Sequence, residues 1–107
     1  RFYPWGDGFD RTLCKMGDSR RTRPRPEPVG AFPSDVSIYG VRDLGGNVSE
    51  WCENWTDARQ ALKVMRGGNW GTADATHFRS AARRGSGPGG VAALLGFRVV
   101  KVVPRSP

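Results

Sequence analysis

Apolar positions come in short bursts along this chain, separated by polar stretches rich in glycine and proline. The first burst, Phe2-Tyr3-Pro4-Trp5-Gly6, interleaves aromatic rings with turn residues and predicts a short extended segment running into a turn. Residues 15–28 are polar, and each proline pushes the residue before it toward extended geometry, so this stretch reads as a surface loop. Val29 to Phe32 reads as a short strand or a docked loop, and residues 34–40 are turn-rich. Tyr39 to Leu44 leads into a further turn at Gly45-Gly46. Val48, Trp51 and Trp55 fall on one helical face, so the pattern predicts a short helix over 47–54. Asn47 is its candidate N-cap, with Glu50 three residues on as in a capping box. Val64-Met65-Arg66 reads as a strand stub stopped by Gly67-Gly68. Residues 78–83 alternate as a second strand, and 84–93 read as a flexible loop. Residues 97–103, β-branched and bounded by Gly96 and Pro104, give the clearest strand signal in the chain.

Composition agrees with this picture of short elements. Of 107 residues, 15 are Gly and 8 are Pro, which disfavours a helical bundle or a coiled coil. The length suits one domain and excludes a multidomain enzyme within these residues. Only 37% of positions are apolar, but four Trp, five Phe and two Tyr bury much area per residue. No apolar run approaches the roughly 20 residues of a membrane helix. The formal charge of +7 comes from scattered arginines rather than a basic helix, and with no aromatic RNA-binding signature it reads as solvated loops plus structural Arg, not nucleic-acid binding.

Candidate chemistry is sparse. Cys14 and Cys52 are far apart and form no CxxC; they leave a disulfide open without arguing for one. His77 is the single histidine, which excludes a Cys/His zinc site of the usual kind and leaves no second His for a metal triad. No serine has a nucleophile-elbow context. The run Gly85-Ser86-Gly87-Pro88-Gly89-Gly90 is not a phosphate loop, because no Lys-Ser/Thr follows and Pro88 removes an N–H from any cradle.

A set of ordered motifs says more. Tyr3-Pro4-Trp5-Gly6-Asp7 is followed by Pro28-Val29-Gly30-Ala31-Phe32-Pro33 and by Tyr39-Gly40-Val41-Arg42-Asp43-Leu44-Gly45-Gly46-Asn47-Val48-Ser49-Glu50-Trp51. Arg66-Gly67-Gly68-Asn69-Trp70, Arg79-Ser80-Ala81-Ala82-Arg83 and Gly96-Phe97-Arg98-Val99-Val100 complete the series. Together they resemble the C-terminal half of the formylglycine-generating enzyme (sulfatase-modifying factor) family. The resemblance implies an α+β, C-type-lectin-like fold with short strands, little helix and long loops. It also implies that residues 1–107 are a single partial domain, completed by an N-terminal half of the same domain.

The fold that the resemblance implies occurs in copper-dependent oxidases that make formylglycine, iron-dependent sulfoxide synthases, domains attached to bacterial protein kinases, and the variable proteins of diversity-generating retroelements. Fold does not choose among these. The oxidases place a reactive cysteine pair just after the Arg-Gly-Gly motif, because a soft thiolate pair holds Cu(I). Here residues 69–78 contain no Cys, and Cys14 and Cys52 lie in other motifs. The iron synthases draw a His cluster from an extra domain that this stretch lacks. The reading is therefore a non-catalytic module that binds a protein or small-molecule ligand. A retroelement-diversified variable protein is its sharpest form. Part of a metal-dependent oxidase and a regulatory domain of a bacterial kinase are the alternatives.

Two sites follow from the resemblance. The first is a structural calcium loop, with the carboxylates of Asp43 and Glu50 and the carbonyls of Gly46 and Val48 as oxygen ligands; its alternative is a loop in which Glu50 bonds backbone N–H groups. At the family's other calcium position an Asn is usual after the residue matching Cys14. This chain has Lys15 there, whose ammonium would repel the ion. The second site is a binding face over 70–93, made of Trp70, Thr72, Asp74, Thr76, His77 and Phe78 with the small residues of 85–93 beside them. Trp51, Trp55, Trp70, Phe97 and Arg98 otherwise read as core, with Arg66 and Arg98 as buried guanidiniums bonded to carboxylates or carbonyls. Asn47-Val48-Ser49 and Asn54-Trp55-Thr56 fit the glycosylation pattern but lie in packed motifs, and neither is expected to be modified.

Overall fold

The computed structural model describes residues 1–89 and 92–104. Its regular structure is a four-stranded sheet of β1 (Ser49–Trp55), β2 (Lys63–Arg66), β3 (Arg84–Ser86) and β4 (Leu95–Gly96), in the order β3-β2-β1-β4. One 3-10 helix, Ala75–Phe78, lies between β2 and β3 in the sequence. Turns and docked loops make up the rest of the described chain, as the C-type-lectin-like α+β reading requires.

β1 is the centre of the sheet and overturns the helix expected over 47–54. It pairs antiparallel with β2, Trp51 opposite Met65 and Trp55 opposite Lys63, with an irregularity between the two tryptophans. On its other side it pairs parallel with β4, Ser49 opposite Leu95. The capping box is absent for a physical reason. Asn47 has φ +75°, not the extended geometry of an N-cap. Its amide is already spent on a distant backbone: Oδ1 accepts from Glu27 N–H and Nδ2 donates to the Glu27 carbonyl, both at 3.0 Å.

β2 forms where the sequence predicts a strand stub. The strand expected over 78–83 does not form. The 3-10 helix ends at Phe78, an Ala82 N–H to Arg79 carbonyl bond closes a turn, and the strand starts only at Arg84. β3 also takes the first residues of the stretch read as a flexible loop. Residues 97–103 carry the strongest strand signal yet form no strand. β4 ends at Gly96, and Phe97, Val99, Val100, Val102 and Val103 are exposed. A β-branched run needs a neighbour to bond its backbone, and none of the described residues supplies one. Val29 to Phe32 resolves as a docked loop: Ala31 N–H bonds the Pro28 carbonyl, and Phe32 is buried.

The core lies beside the sheet. Tyr3, Cys14, Met16 and Phe78 are buried together, with Trp5 and Phe9 packed against them. Tyr3 stacks on Trp5 with ring centroids 5.3 Å apart. Gly68 makes the packing possible, since a Cβ there would sit 2.2 Å from the Phe78 ring. Trp51, Trp55 and Trp70 are half-buried, but Phe97 is 76% exposed and is not core. Cys14 and Cys52 are both free thiols. Burial pushes the Cys14 thiol far above its ordinary value, which leaves it unreactive.

Candidate functional site

The Arg-Gly-Gly-Asn-Trp motif ends β2 and turns the chain onto an exposed stretch. Asn69 is buried; its side chain donates to Ser49 Oγ and accepts from Gly71 N–H, which fixes the turn. Trp70 N–H bonds the Asn47 carbonyl at 2.7 Å. Its indole Nε1 donates to the Ala93 carbonyl at 3.0 Å. Gly71 lies against Leu94, where a Cβ would come within 2.8 Å of that side chain. Of the two stretches expected to share a face, 70–78 and 85–93, Trp70 meets Ala93, and Gly71 meets Leu94 just beyond the second stretch.

Beyond Trp70 the backbone is held by its own side chains. Thr72 accepts from Asp74 N–H through Oγ1, and the same oxygen lies 3.4 Å from His77 Nδ1. Asp74 caps the 3-10 helix: Oδ1 accepts from Thr76 N–H at 3.0 Å and from the Thr76 hydroxyl at 2.8 Å. Those bonds favour the ionised form and hold the Asp74 carboxyl below its usual range. Asp74 and Thr76 are exposed, while Thr72 and His77 are half-buried. Phe78 corrects the expected set. It is 1% exposed and belongs to the core beneath the face, not to the face. Residues 85–86 are drawn away into β3, and 90–91 lie outside the described residues.

The Asp43–Glu50 loop forms a second constellation. Asp43, Gly46, Val48 and Glu50 all line one cavity of about 440 Å³, together with Arg98. Arg98 holds Glu50 bidentately: Nε pairs with Oε1, and Nη2 lies 2.8 Å from Oε2. Nη1 and Nη2 also donate to the carbonyls of Arg42 and Asp43 at 2.9 and 3.1 Å. The expected use of the guanidinium fork is present, although the side chain remains 37% exposed rather than buried. Arg66 is likewise exposed, and it donates to the carbonyls of Ser80 and Ala82. Asp43 Oδ2 accepts from Gly30 N–H at 2.8 Å. The four residues expected to supply oxygen ligands thus line one cavity. Both Glu50 oxygens are engaged by Arg98, so an ion at this loop would have to share that carboxylate with the guanidinium.

Asp35 is a functional position with no signature in the sequence pattern around it. It is 1% exposed, and it accepts from Gly45 and Gly46 N–H at 2.9–3.1 Å, which fixes the Gly-Gly turn that leads into β1. Burial outweighs those bonds and raises its carboxyl to about 6. Arg84 is a second such position: Nη2 donates to Ser49 Oγ and to the Gly67 carbonyl, both at 2.9 Å. Neither residue has a local signature, because both act on partners at least ten positions away.

Residues 1–103 match the family described as the sulfatase-modifying factor enzyme 1-like domain. Among individual relatives, the chain is 36% identical to the inactive C-alpha-formylglycine-generating enzyme 2 of Bos taurus, over 98% of this chain and 39% of that protein. It is 31% identical to the serine/threonine-protein kinase pkn1 of Chlamydia caviae, over 94% of this chain and 18% of the kinase. The chain therefore spans well under half the length of these relatives. Among solved structures it resembles Treponema denticola variable protein 1, with a TM-score of 0.69 and 24% identity over 81% of this chain and 35% of that one. This last likeness is one of fold.

Proposed function

The chain belongs to the sulfatase-modifying factor enzyme 1-like domain family, and from that premise we propose that it is a non-catalytic binding module that presents the face around Trp70 to a protein or small-molecule ligand. The observation that carries this reading is the stretch after Gly68. It is locked by the Trp70–Ala93 and Asp74–Thr76 bonds, and it displays hydroxyl, carboxylate and imidazole groups with no thiol among them. A fixed backbone with mixed polar side chains lowers the ordering cost of binding. The cysteines give no redox pair at that place, since Cys14 is buried in the core and Cys52 lies on β1. The name of the bovine relative, an inactive enzyme, is in keeping with a family member that binds without turnover.

A retroelement-diversified variable protein is the most specific form of this proposal. It predicts, beside a reverse-transcriptase gene, a near-copy of the coding segment for residues 70–98 that differs at adenines. The kinase relative favours a second form, in which the module is the sensing or docking part of a longer signalling chain. We also infer that calcium bound by Asp43, Glu50 and the Gly46 and Val48 carbonyls would fasten the loop that leads into β1.

The test of the main reading uses the protein as bait on a ligand panel, beside a variant with Thr72, Asp74, Thr76 and His77 changed to alanine. Ligands retained by the first and lost by the second support the proposal. Copper-dependent oxidation of a cysteine peptide by the protein would refute it.

A further inference from the structure

Of the three lysines, Lys101 is exposed and Lys63 is half-buried with its ammonium over the Trp55 ring, but Lys15 is only 3% exposed. A buried ammonium is costly unless a counter-charge is built in beside it. Here that counter-charge is Glu27, whose Oε2 lies 2.8 Å from Lys15 Nζ. Oε2 has no well-aligned hydrogen bond, so the contact is one of charge on charge. The other oxygen, Oε1, takes Arg20 at 2.8 Å. The Arg20 hydrogen bond first, and then the contact with Lys15, hold the Glu27 carboxyl below its ordinary value.

Around this pair three segments meet. The Glu27 backbone is bonded in both directions by the Asn47 amide, and Asn47 N–H bonds the Lys15 carbonyl at 2.9 Å. Gly46 lies flat on Lys15, where a Cβ would come within 2.3 Å of the carbonyl oxygen. The junction therefore joins the Cys14–Met16 segment, the Glu27 loop and the Gly-Gly turn, with one internal positive charge at its centre. This is the second position at which the family resemblance implies calcium. The residues here do not fit one: a buried ammonium stands at the position of an oxygen ligand, donates no lone pair and would repel a divalent ion beside Glu27.

We propose that the Lys15 ammonium is the resident cation of this junction, closing the three loops without a divalent ion, and that one side chain thereby makes this position independent of calcium. The proposal stands apart from whatever the Trp70 face binds. It requires that Lys15 be shielded in the native protein, and that a neutral oxygen ligand in its place re-create a calcium site beside Glu27.

Two measurements on the full chain test it. In reductive methylation of the folded protein followed by peptide mapping, Lys101 should modify readily and Lys15 should stay protected until the protein unfolds. Modification of Lys15 at the rate of Lys101 would overturn the proposal. The second measurement removes the Asp43 loop from consideration by working in the Asp43→Ala background. There the melting temperature should be the same in calcium and in chelator, whereas Asp43→Ala/Lys15→Asn should gain several degrees on adding calcium through binding to the native state. If the double variant shows no calcium response, or if Asp43→Ala alone keeps one as large, the assignment of Lys15 fails. Should the double variant not fold even in calcium, the assignment fails equally, because the replacement ion has not closed the junction.

Discussion

Trp70 Nε1 donates to the carbonyl of Ala93 across 3.0 Å, joining two loop stretches 23 residues apart. The indole thus acts as a strut: its ring is half-buried, and its polar edge pins the approach to β4, where Ser49 N–H bonds the Leu94 carbonyl. Trp70→Phe keeps most of the ring and loses the donor. Stability should fall by about 1 kcal/mol, the usual worth of one hydrogen bond. Hydrogen exchange should accelerate at Ser49 and Leu95, whose N–H groups bond carbonyls of the 92–94 stretch. An unchanged exchange rate at both amides would remove the strut role.

The face and the core beneath it should separate in an alanine scan. Thr72→Ala, Thr76→Ala and His77→Ala should each shift stability within roughly ±0.5 kcal/mol while altering ligand retention. Asp74→Ala should cost about 1 kcal/mol as well, because Asp74 caps the 3-10 helix. Phe78→Ala should cost about 3–5 kcal/mol, since it empties the centre of the aromatic cluster. Thermal denaturation beside the binding panel checks all five.

Calcium should raise the melting temperature of the wild-type protein, and Asp43→Ala should abolish that shift. The Asp43 carboxylate also holds Gly30 N–H, so the variant should start from a lower melting temperature in chelator. The decisive quantity is the difference between calcium and chelator within each variant. Equal melting of the wild type in both conditions would refute the ion at this loop.

Asp35 should leave a mark on the pH profile. Its carboxyl is raised to about 6 in the folded protein from 3.8. The folded state therefore holds a proton that the unfolded state has released. The stabilisation is complete below about pH 4 and is lost as pH rises through about 6; in size it is on the order of 3 kcal/mol. Glu27 acts in the opposite sense, since its lowered carboxyl contributes stability that disappears as pH falls below its unfolded value of 4.5. Asp35→Asn should flatten the limb between pH 4 and 6 and preserve the fold, because Oδ2 alone accepts from both glycine N–H groups and an amide oxygen can take that place. Urea melts at several pH values, with and without the substitution, measure the limb directly.

We further propose that residues 97–103 are the strand they resemble, awaiting a neighbour from another segment of the domain. The parallel pairing of β4 with β1 stops after Leu95 and Gly96, and the valines beyond are exposed. In the 107-residue chain alone, amides 99–103 should exchange within seconds. In a longer chain that supplies a neighbouring strand, they should be protected. Strong protection in the short chain as a monomer would refute this.

The sequence by itself determined whatever depends on local chemistry or on an ordered series of motifs. The family and its short-stranded fold were legible because several Gly, Trp and Arg signatures occur together in sequence. β2 was legible because Val64-Met65-Arg66 is apolar, β-prone and closed by two glycines. The proposal of a binding face after Gly68 rests on the run of small polar residues there. Tertiary structure decided the rest. Val48, Trp51 and Trp55 suit a helix as well as a strand over so few residues, and only the neighbours β2 and β4 made the segment extended. The same physics worked in reverse on 97–103, where strong β propensity found no partner for its backbone. Phe78 passed from face to core because its ring fits over a glycine ten positions back in the chain. Asp35, Arg84 and the Lys15–Glu27 pair could not be seen beforehand, because each charge takes its meaning from groups that folding alone brings within 3 Å or so of it.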